Sequence, residues 1–287
     1  VWLTEWDSYI DPVHVGDPMR AFTLGEVVRS KHADFPVGTL VSGLGPWAEY
    51  YVSDGSGLQA FPHFEGVDLV DAFGILTVAG PTALVGLREI AQLKAGETIA
   101  ITAAAGAVGA LTGQIAKIMG ARVIGVAGSE AKCAWLTDEL GFDAAINYKT
   151  EDVVASLRKH APAGLDVHFE NVGGEMLDAG LTVMKNYGRV VICGLISTYG
   201  AAGEVPGPYM FRNMIMRRLS MQGFVILDYL DQYPELWTQL LEWIKAGRLK
   251  YRLNLLEGLD RAPEALGLLF SGGNDGKVMV RVGADPA

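Results

Sequence analysis

The chain has 287 residues, half of them hydrophobic and 36 of them glycine, which suits a well-cored protein of one large domain or two ordinary ones and excludes a disordered chain. A net charge of −10 argues against nucleic acid or an anionic membrane as a general partner, while leaving room for local basic sites. Only Cys133 and Cys193 occur, too few for a disulfide framework or a cysteine-rich zinc site, and no apolar run approaches about 18 uninterrupted residues; a reducing cytoplasmic setting without a membrane span is expected.

In chain order, the start carries no basic region ahead of an apolar core, so no signal peptide is visible. It opens mid-pattern at Val1-Trp-Leu-Thr-Glu5 without an initiator Met, which reads as a shortened chain. Residues 1–75 hold short β-like runs at Phe22–Arg29, Thr39–Ser42 and Trp47–Val52. Turn signals at Gly38, Gly43, Gly45 and Asp54–Gly57 separate them, the pattern of an irregular β domain. Thr82–Leu93 has helical spacing through Leu84, Leu87 and Ile90.

From Thr98 the pattern changes to alternation. Residues 98–103 read as a short buried strand. Ala104, Gly106 and Gly109 follow at the spacing of a dinucleotide-binding turn, with Ala in place of the first glycine. Val108, Leu111, Ile115 and Ile118 then mark a helix that Gly120 ends. Glycine lets a pyrophosphate approach the backbone, and the helix start offers it N–H groups and a positive dipole end. Further strands are expected at Arg122–Ala127, Ala144–Asn147, Leu165–Glu170, Arg189–Cys193 and Ser220–Ile226. Between them lie helices through Trp135–Leu140, from an N-cap at Thr150 to about Ala161, and through Met176–Met184. This βαβ alternation implies a doubly wound parallel sheet in an α/β fold. Ligands sit at the carboxyl ends of such strands, where Gly106, Ser129, Asn171, Gly194 and Phe224 should converge. The tail gives a helix at about Leu230–Ala246, β-like Leu249–Leu256, a helix at about Arg261–Ser271 and β-like Lys277–Val282, suggesting a return to the first domain.

The end of the second strand identifies the cofactor. An NAD site places Asp or Glu there, bonded to the ribose. Counting about 20 residues past the last glycine reaches Gly128 and Ser129, with Lys132 one turn on, a set that favours NADP(H): Lys132 to pair with a 2′-phosphate and Ser129 to donate a hydrogen bond. Glu130 competes with this reading if the strand ends late, and Ser129 can equally cap a helix. Tyr148 follows the third strand, placed either at the adenosine end or in a turn.

Five segments carry more than spacing: Ala103-Ala-Ala-Gly-Ala-Val-Gly109, Val126-Ala-Gly-Ser-Glu-Ala-Lys132, Ile146-Asn-Tyr-Lys149, Glu170-Asn-Val-Gly-Gly174 and Arg189-Val-Val-Ile-Cys-Gly-Leu-Ile-Ser-Thr-Tyr199. With Gly43-Leu-Gly-Pro-Trp-Ala-Glu-Tyr50 and Asn274-Asp-Gly-Lys277, the chain resembles the zinc-free medium-chain dehydrogenases/reductases almost throughout. The branch is that of NADP-dependent leukotriene B4 12-hydroxydehydrogenase / prostaglandin reductase, with plant alkenal double-bond reductases and bacterial curcumin reductase.

The resemblance implies a Rossmann domain (77–244) and a GroES-like catalytic domain made from 1–76 and 245–287. It implies NADPH contacts from Thr82, Gly106, Ala107, Val108, Gly109, Lys132, Tyr148, Asn171, Cys193, Gly194, Ser197, Tyr199, Phe224, Val225, Ile226 and Asn274. The implied reaction reduces the C=C bond of a lipophilic α,β-unsaturated ketone or aldehyde, and the implied assembly is a homodimer. Three departures stand out. The opening residues of the family have no counterpart before Val1. Val78-Ala-Gly-Pro-Thr-Ala-Leu84 lacks the usual Tyr, and Met216 falls near where some members carry another.

The residues themselves speak against a catalytic metal. Leu24-Gly-Glu26 lacks the His that zinc enzymes place before the Glu, and both cysteines lie on the nucleotide side. Without a Lewis acid, hydride attack on the β-carbon of an enone is easier to arrange than alcohol oxidation. The charge reaching the carbonyl oxygen needs one donor, either the nicotinamide ribose hydroxyl or a tyrosine. Tyr9, in the family's substrate-lining segment, comes first, ahead of Tyr50 and Tyr209. Quinone reduction and cofactor binding without turnover are the alternatives. Met210–Met216, after the loop Gly200–Pro208, suit either a mobile cover or a dimer contact.

Overall fold

The structure is a computed structural model describing residues 8–200 and 203–284. The opening Val1–Glu5 and two residues of the loop Gly200–Pro208, Ala201 and Ala202, lie outside the described residues. The chain divides into two compact units. One comprises residues 1–77, 253–273 and 278–287; the other comprises 78–252 with 274–277. The return begins at 253, not 245, and its short stretch 274–277 belongs to the larger unit.

The smaller unit starts with an antiparallel sheet of β1 (Arg20–Glu26), β2 (Leu40–Pro46) and β3 (Leu58–Ala60), in that order. Trp47–Val52, expected as a strand, forms none: Trp47 N still donates to Met19 O at 2.7 Å, but β1 offers no partner residue beyond it and β3 takes the other edge of β2. Gly43 permits that pairing: a Cβ there would lie 2.5 Å from the Gly57 carbonyl oxygen. A helix the β pattern did not announce, Leu69–Leu76, is capped by Asp68, whose carboxylate accepts from Val70 N at 2.9 Å. It buries Ala72, Ile75 and Leu76. The helical run Leu69–Ile90 is 22 residues, long and apolar enough by length and composition to cross a membrane, against the expectation of no such segment. Of its apolar window 67% is buried inside the fold, as in a core helix.

The larger unit is a six-stranded parallel sheet. Its strands are β4 (Thr98–Ile101), β5 (Arg122–Ala127), β6 (Ala144–Asn147), β7 (Leu165–Glu170), β8 (Met184–Ile192) and β9 (Ser220–Gly223). Their order is β6-β5-β4-β7-β8-β9. The chain runs outward from β4 to β6 and then returns to pair β7 on the other side, so the order reverses between β4 and β7. Ile99, Ile101, Val123, Ile124, Leu165, Val167, Phe169 and Val191 are fully enclosed. Helices covering both faces explain why β4 and most of β5 read as continuous apolar runs, and each such enclosed side chain contributes about 1.5–3 kcal/mol of burial. The helices include Ala107–Ile118, Glu130–Ala134 (extended by a wide turn at Trp135–Glu139), Val153–His160, Gly174–Val183 and Tyr233–Lys245.

Several boundaries moved. The helix expected from Thr82 starts at Ala79 and loosens into a wide turn at Gly86–Ile90. Asp152, not Thr150, caps Val153–His160, accepting from Ala155 N at 2.9 Å. The helix after Gly174 ends at Val183, so Met184 already belongs to β8, and the chain turns there through Tyr187 at φ +63°. β9 stops at Gly223, short of Ile226. Two strands complete the tail, β10 (Leu253–Glu257) and β11 (Lys277–Arg281), with the helix Ala262–Ser271 between them in sequence.

Candidate functional site

The first βα corner follows β4. Ala103 takes φ +47°, a left-handed conformation that is strained for alanine, and Gly106 N closes the turn on Ala103 O at 2.9 Å. Gly109 then meets the turn so closely that a Cβ would sit 2.4 Å from Ala103 O and 2.8 Å from Ala104 Cα. Gly106 is the N-cap of Ala107–Ile118 and supplies no capping side chain. The first-turn amides of Ala107, Val108 and Gly109 thus have no capping side chain and form a cradle that could hold an anion, closed so tightly at Gly109 that no side chain fits there.

At the end of β5, Ser129 is the N-cap of Glu130–Ala134, its Oγ accepting from Lys132 N at 3.2 Å. The capping role is therefore real, and as an acceptor the hydroxyl retains a proton to donate. Glu130 is turned away: its carboxylate accepts from Asn147 Nδ2 at 2.7 Å and Thr150 Oγ1 at 3.4 Å. Lys132 is 17% exposed, with Nζ 3.9 Å from Asp275 Oδ1. The Tyr148 ring lies on Gly128, where a Cβ would be 2.9 Å from Cε1. Gly128, Ser129, Lys132 and Tyr148 thus meet at one corner.

The β7 end is organised by Glu170, which is fully buried. One carboxylate oxygen accepts from Thr102 Oγ1 (2.7 Å), Val172 N (2.5 Å) and Gly173 N (3.0 Å), and the other lies 2.7 Å from His168 Nε2. Burial alone would raise this carboxyl; the hydrogen bonds from His168, Thr102 and Gly173 outweigh it and hold it below its usual range. Asn171 is locked to the first corner through Thr102, donating Nδ2 to its carbonyl and N to its hydroxyl, each at 2.8 Å.

Residues 193–199 fold onto this turn. Cys193 N and Gly194 N donate to Glu170 O, and Ser197 Oγ donates to Val172 O at 2.6 Å. Tyr199 Oη accepts from Leu195 N at 3.1 Å, and burial raises its phenol. Beyond β9, Phe224 packs where Gly86 leaves room, Val225 is extended and Ile226 is buried. Thr82 is 6% exposed, and among the described residues its Oγ1 has no hydrogen-bond partner. A buried hydroxyl in that state is one that a ligand would satisfy. Asn274 donates Nδ2 to Gly276 O at 3.0 Å, on the stretch that Gly276 pairs against Gly106.

A model described as "Zinc-binding dehydrogenase" matches residues 107–246, and one described as "N-terminal domain of oxidoreductase" matches residues 1–61. The NADP-dependent 2-alkenal reductase of Nicotiana tabacum is 41% identical over 276 residues, 96% of this chain and 80% of that one. The chain belongs to the zinc-binding dehydrogenase family of medium-chain dehydrogenases/reductases. Within that family, NADPH-dependent curcumin reductase of Escherichia coli strain K12 is 37% identical, spanning 99% of this chain and 83% of its own. The crystal structure of CurA in complex with NADPH from Vibrio vulnificus superposes with a TM-score of 0.90 at 36% identity, covering 99% of this chain and 85% of that one.

The family's name invokes zinc, and the donor set here does not suit it. Burial and then the charges of Glu130 and Glu151 push the Cys133 thiol up to about 11; burial and then Glu170 push Cys193 up to about 12. Protonated thiols are poor ligands. Among the described residues no three His, Cys, Asp or Glu side chains are grouped to hold an ion. Tyr9 is 60% exposed and lies in the smaller unit, as does the exposed Tyr50; Tyr209 is on the larger one. Sequence reasoning did not single out Glu170, Thr102 or Asp275, and His168, expected on the surface or as a satisfied core residue, is buried against Glu170. Glu170 had a signal, an acid at the carboxyl end of a strand whose apolar positions alternate inward.

Proposed function

We propose that the protein is an NADPH-dependent oxidoreductase that reduces the C=C bond of α,β-unsaturated ketones and aldehydes. The observation that carries this reading is the corner after β5. Glu130, the acid that would select NAD, is committed to Asn147 and Thr150, while Lys132 and Ser129 stand where a 2′-phosphate would be held. The named activities of the 2-alkenal and curcumin reductases support the same conclusion.

When bound, NADPH supplies the hydride that the β-carbon receives. The residues of the chain bind and orient. The amides of Ala107, Val108 and Gly109 would hold the pyrophosphate, Tyr148 the adenosine end, and Asn171 with residues 193–199 the nicotinamide end, where Thr82 would gain the hydrogen bond it lacks. Charge arriving on the carbonyl oxygen needs a donor; we assign Tyr9 to it, with the ribose hydroxyl as the alternative. Removing such a donor costs about 3 kcal/mol of transition-state stabilisation. Water can deliver the proton to the α-carbon. The reading needs no metal, and among the described residues no three His, Cys, Asp or Glu side chains are grouped to hold one.

We further place the protein in the cytosol as a homodimer. Both cysteines are free thiols. The outer edge of β9 carries no strand among the described residues, and Tyr187, Tyr209, Phe211, Ile215 and Met216 of the same unit are exposed. The test of the activity is NADPH oxidation with a medium-chain enone or alkenal. Acceptor-dependent turnover is expected; NADPH binding without any acceptor reduction would sink the reading.

A further inference from the structure

The stretch 274–277 runs along the glycine turn and is fixed there by its backbone. Gly276 N donates to Ala105 O at 3.1 Å, Lys277 N donates to Arg252 O at 2.9 Å, and Asn274 Nδ2 closes onto Gly276 O. Gly276 sits at φ +72°, where a Cβ would come within 2.1 Å of Arg252 O, so no larger residue keeps this path. Asp275 is held between these anchors, beside Lys132. Their 3.9 Å separation makes an ion pair but is too long for a hydrogen bond. The carboxylate therefore does not aim the ammonium through a bond. It acts as a negative charge, borne on an anchored stretch of backbone, next to the cation that the proposed reading assigns to cofactor selection.

We propose that Asp275 sets how tightly the 2′-phosphate is held, competing for Lys132 and repelling the incoming phosphate. The inference rests on the reading of this corner as the NADPH site. The backbone that carries Asp275 is held at Gly276 and Lys277, so its carboxylate stays within reach of Lys132 when the phosphate arrives, and part of the attraction of Lys132 is spent against it. The same charge speeds departure of the oxidised cofactor, which carries the same phosphate and must leave in each cycle. Asp275 is 58% exposed, so solvent screens the effect to about two- to fivefold in affinity.

The test is calorimetric binding of 2′,5′-ADP, which carries the phosphate, and of 5′-AMP, which lacks it, to the intact chain and two variants. Asp275→Asn should bind 2′,5′-ADP about two- to fivefold more tightly with 5′-AMP unchanged, and added salt should shrink the gain. Unchanged 2′,5′-ADP affinity in Asp275→Asn overturns the proposal. Weakened affinity overturns it too, by making Asp275 a support for Lys132. Lys132→Ala separates the two levels. If it loses the preference for 2′,5′-ADP while Asp275→Asn changes nothing, only this proposal fails. If it keeps the full preference, the corner reading fails and the proposal with it.

Discussion

Cofactor choice is decided at single residues. On the proposed reading Lys132 would pair with the 2′-phosphate, and a charge-assisted hydrogen bond of this type is worth about 1.5–3 kcal/mol. Lys132→Ala should weaken NADPH by at least about tenfold and NADH little, measured as the two dissociation constants by fluorescence quenching. Equal losses would remove the assignment. Glu170 is the second decisive residue, and its consequence is pH dependence. Its carboxyl is held below its usual value in the folded chain, so its contribution to stability is present above the ordinary carboxylate range and is lost as pH falls through that range. Glu170→Gln should lower the urea midpoint at neutral pH and make the fall towards acid shallower than in the wild type. A parallel acid limb in both proteins would show that the hub is not what titrates.

Among the elements, the helix Ala107–Ile118 matters most to the proposed reading, in which its N-terminus would meet the pyrophosphate. Its distance from the sheet is set by two glycines. Gly109 meets the turn at Ala103, and at Gly113 a Cβ would lie 1.9 Å from the Phe142 ring. Phe142 is buried and cannot swing out without opening the core beside Leu136. Gly113→Ala is expected to destabilise the chain by about 1–3 kcal/mol through overpacking, despite the better helix propensity of alanine. Chemical denaturation gives the value; a stabilised variant would mean that the helix has room to shift. β7 and its following turn are the other organising element, since Glu170 joins Thr102 of the first corner to the amides of Val172 and Gly173.

For the whole molecule, a net charge of −10 and a polyanionic cofactor would repel, so binding depends on where the few cations and amides are placed. The open edge of β9 with its exposed aromatic and aliphatic neighbours leads to the expectation of a dimer mass in light scattering, and Ile215→Lys should shift that mass towards the monomer. A monomeric wild type would remove that expectation. The tail contributes at this scale as well: it returns to the smaller unit, yet leaves 274–277 against the glycine turn of the larger one.

Arg122–Ala127, Ala144–Asn147 and Leu165–Glu170 occur as strands with the bounds read from the bare chain. They were legible because short runs of apolar and β-branched residues, nearly continuous in the first two and alternating with Asp166 and His168 in the third, stand between turn residues, a local property. The glycine turn and the missing acid after β5 were legible for the same reason. Trp47–Val52 misled, because apolar and aromatic residues look like a strand until a partner edge is denied them. The destination of Glu130, the hub at Glu170 and the placement of Asp275 against Lys132 were settled only by the fold, since each depends on residues far apart in sequence. Short-range preferences are written along the chain, whereas the partner of a buried or charged group is chosen by which distant backbone arrives beside it.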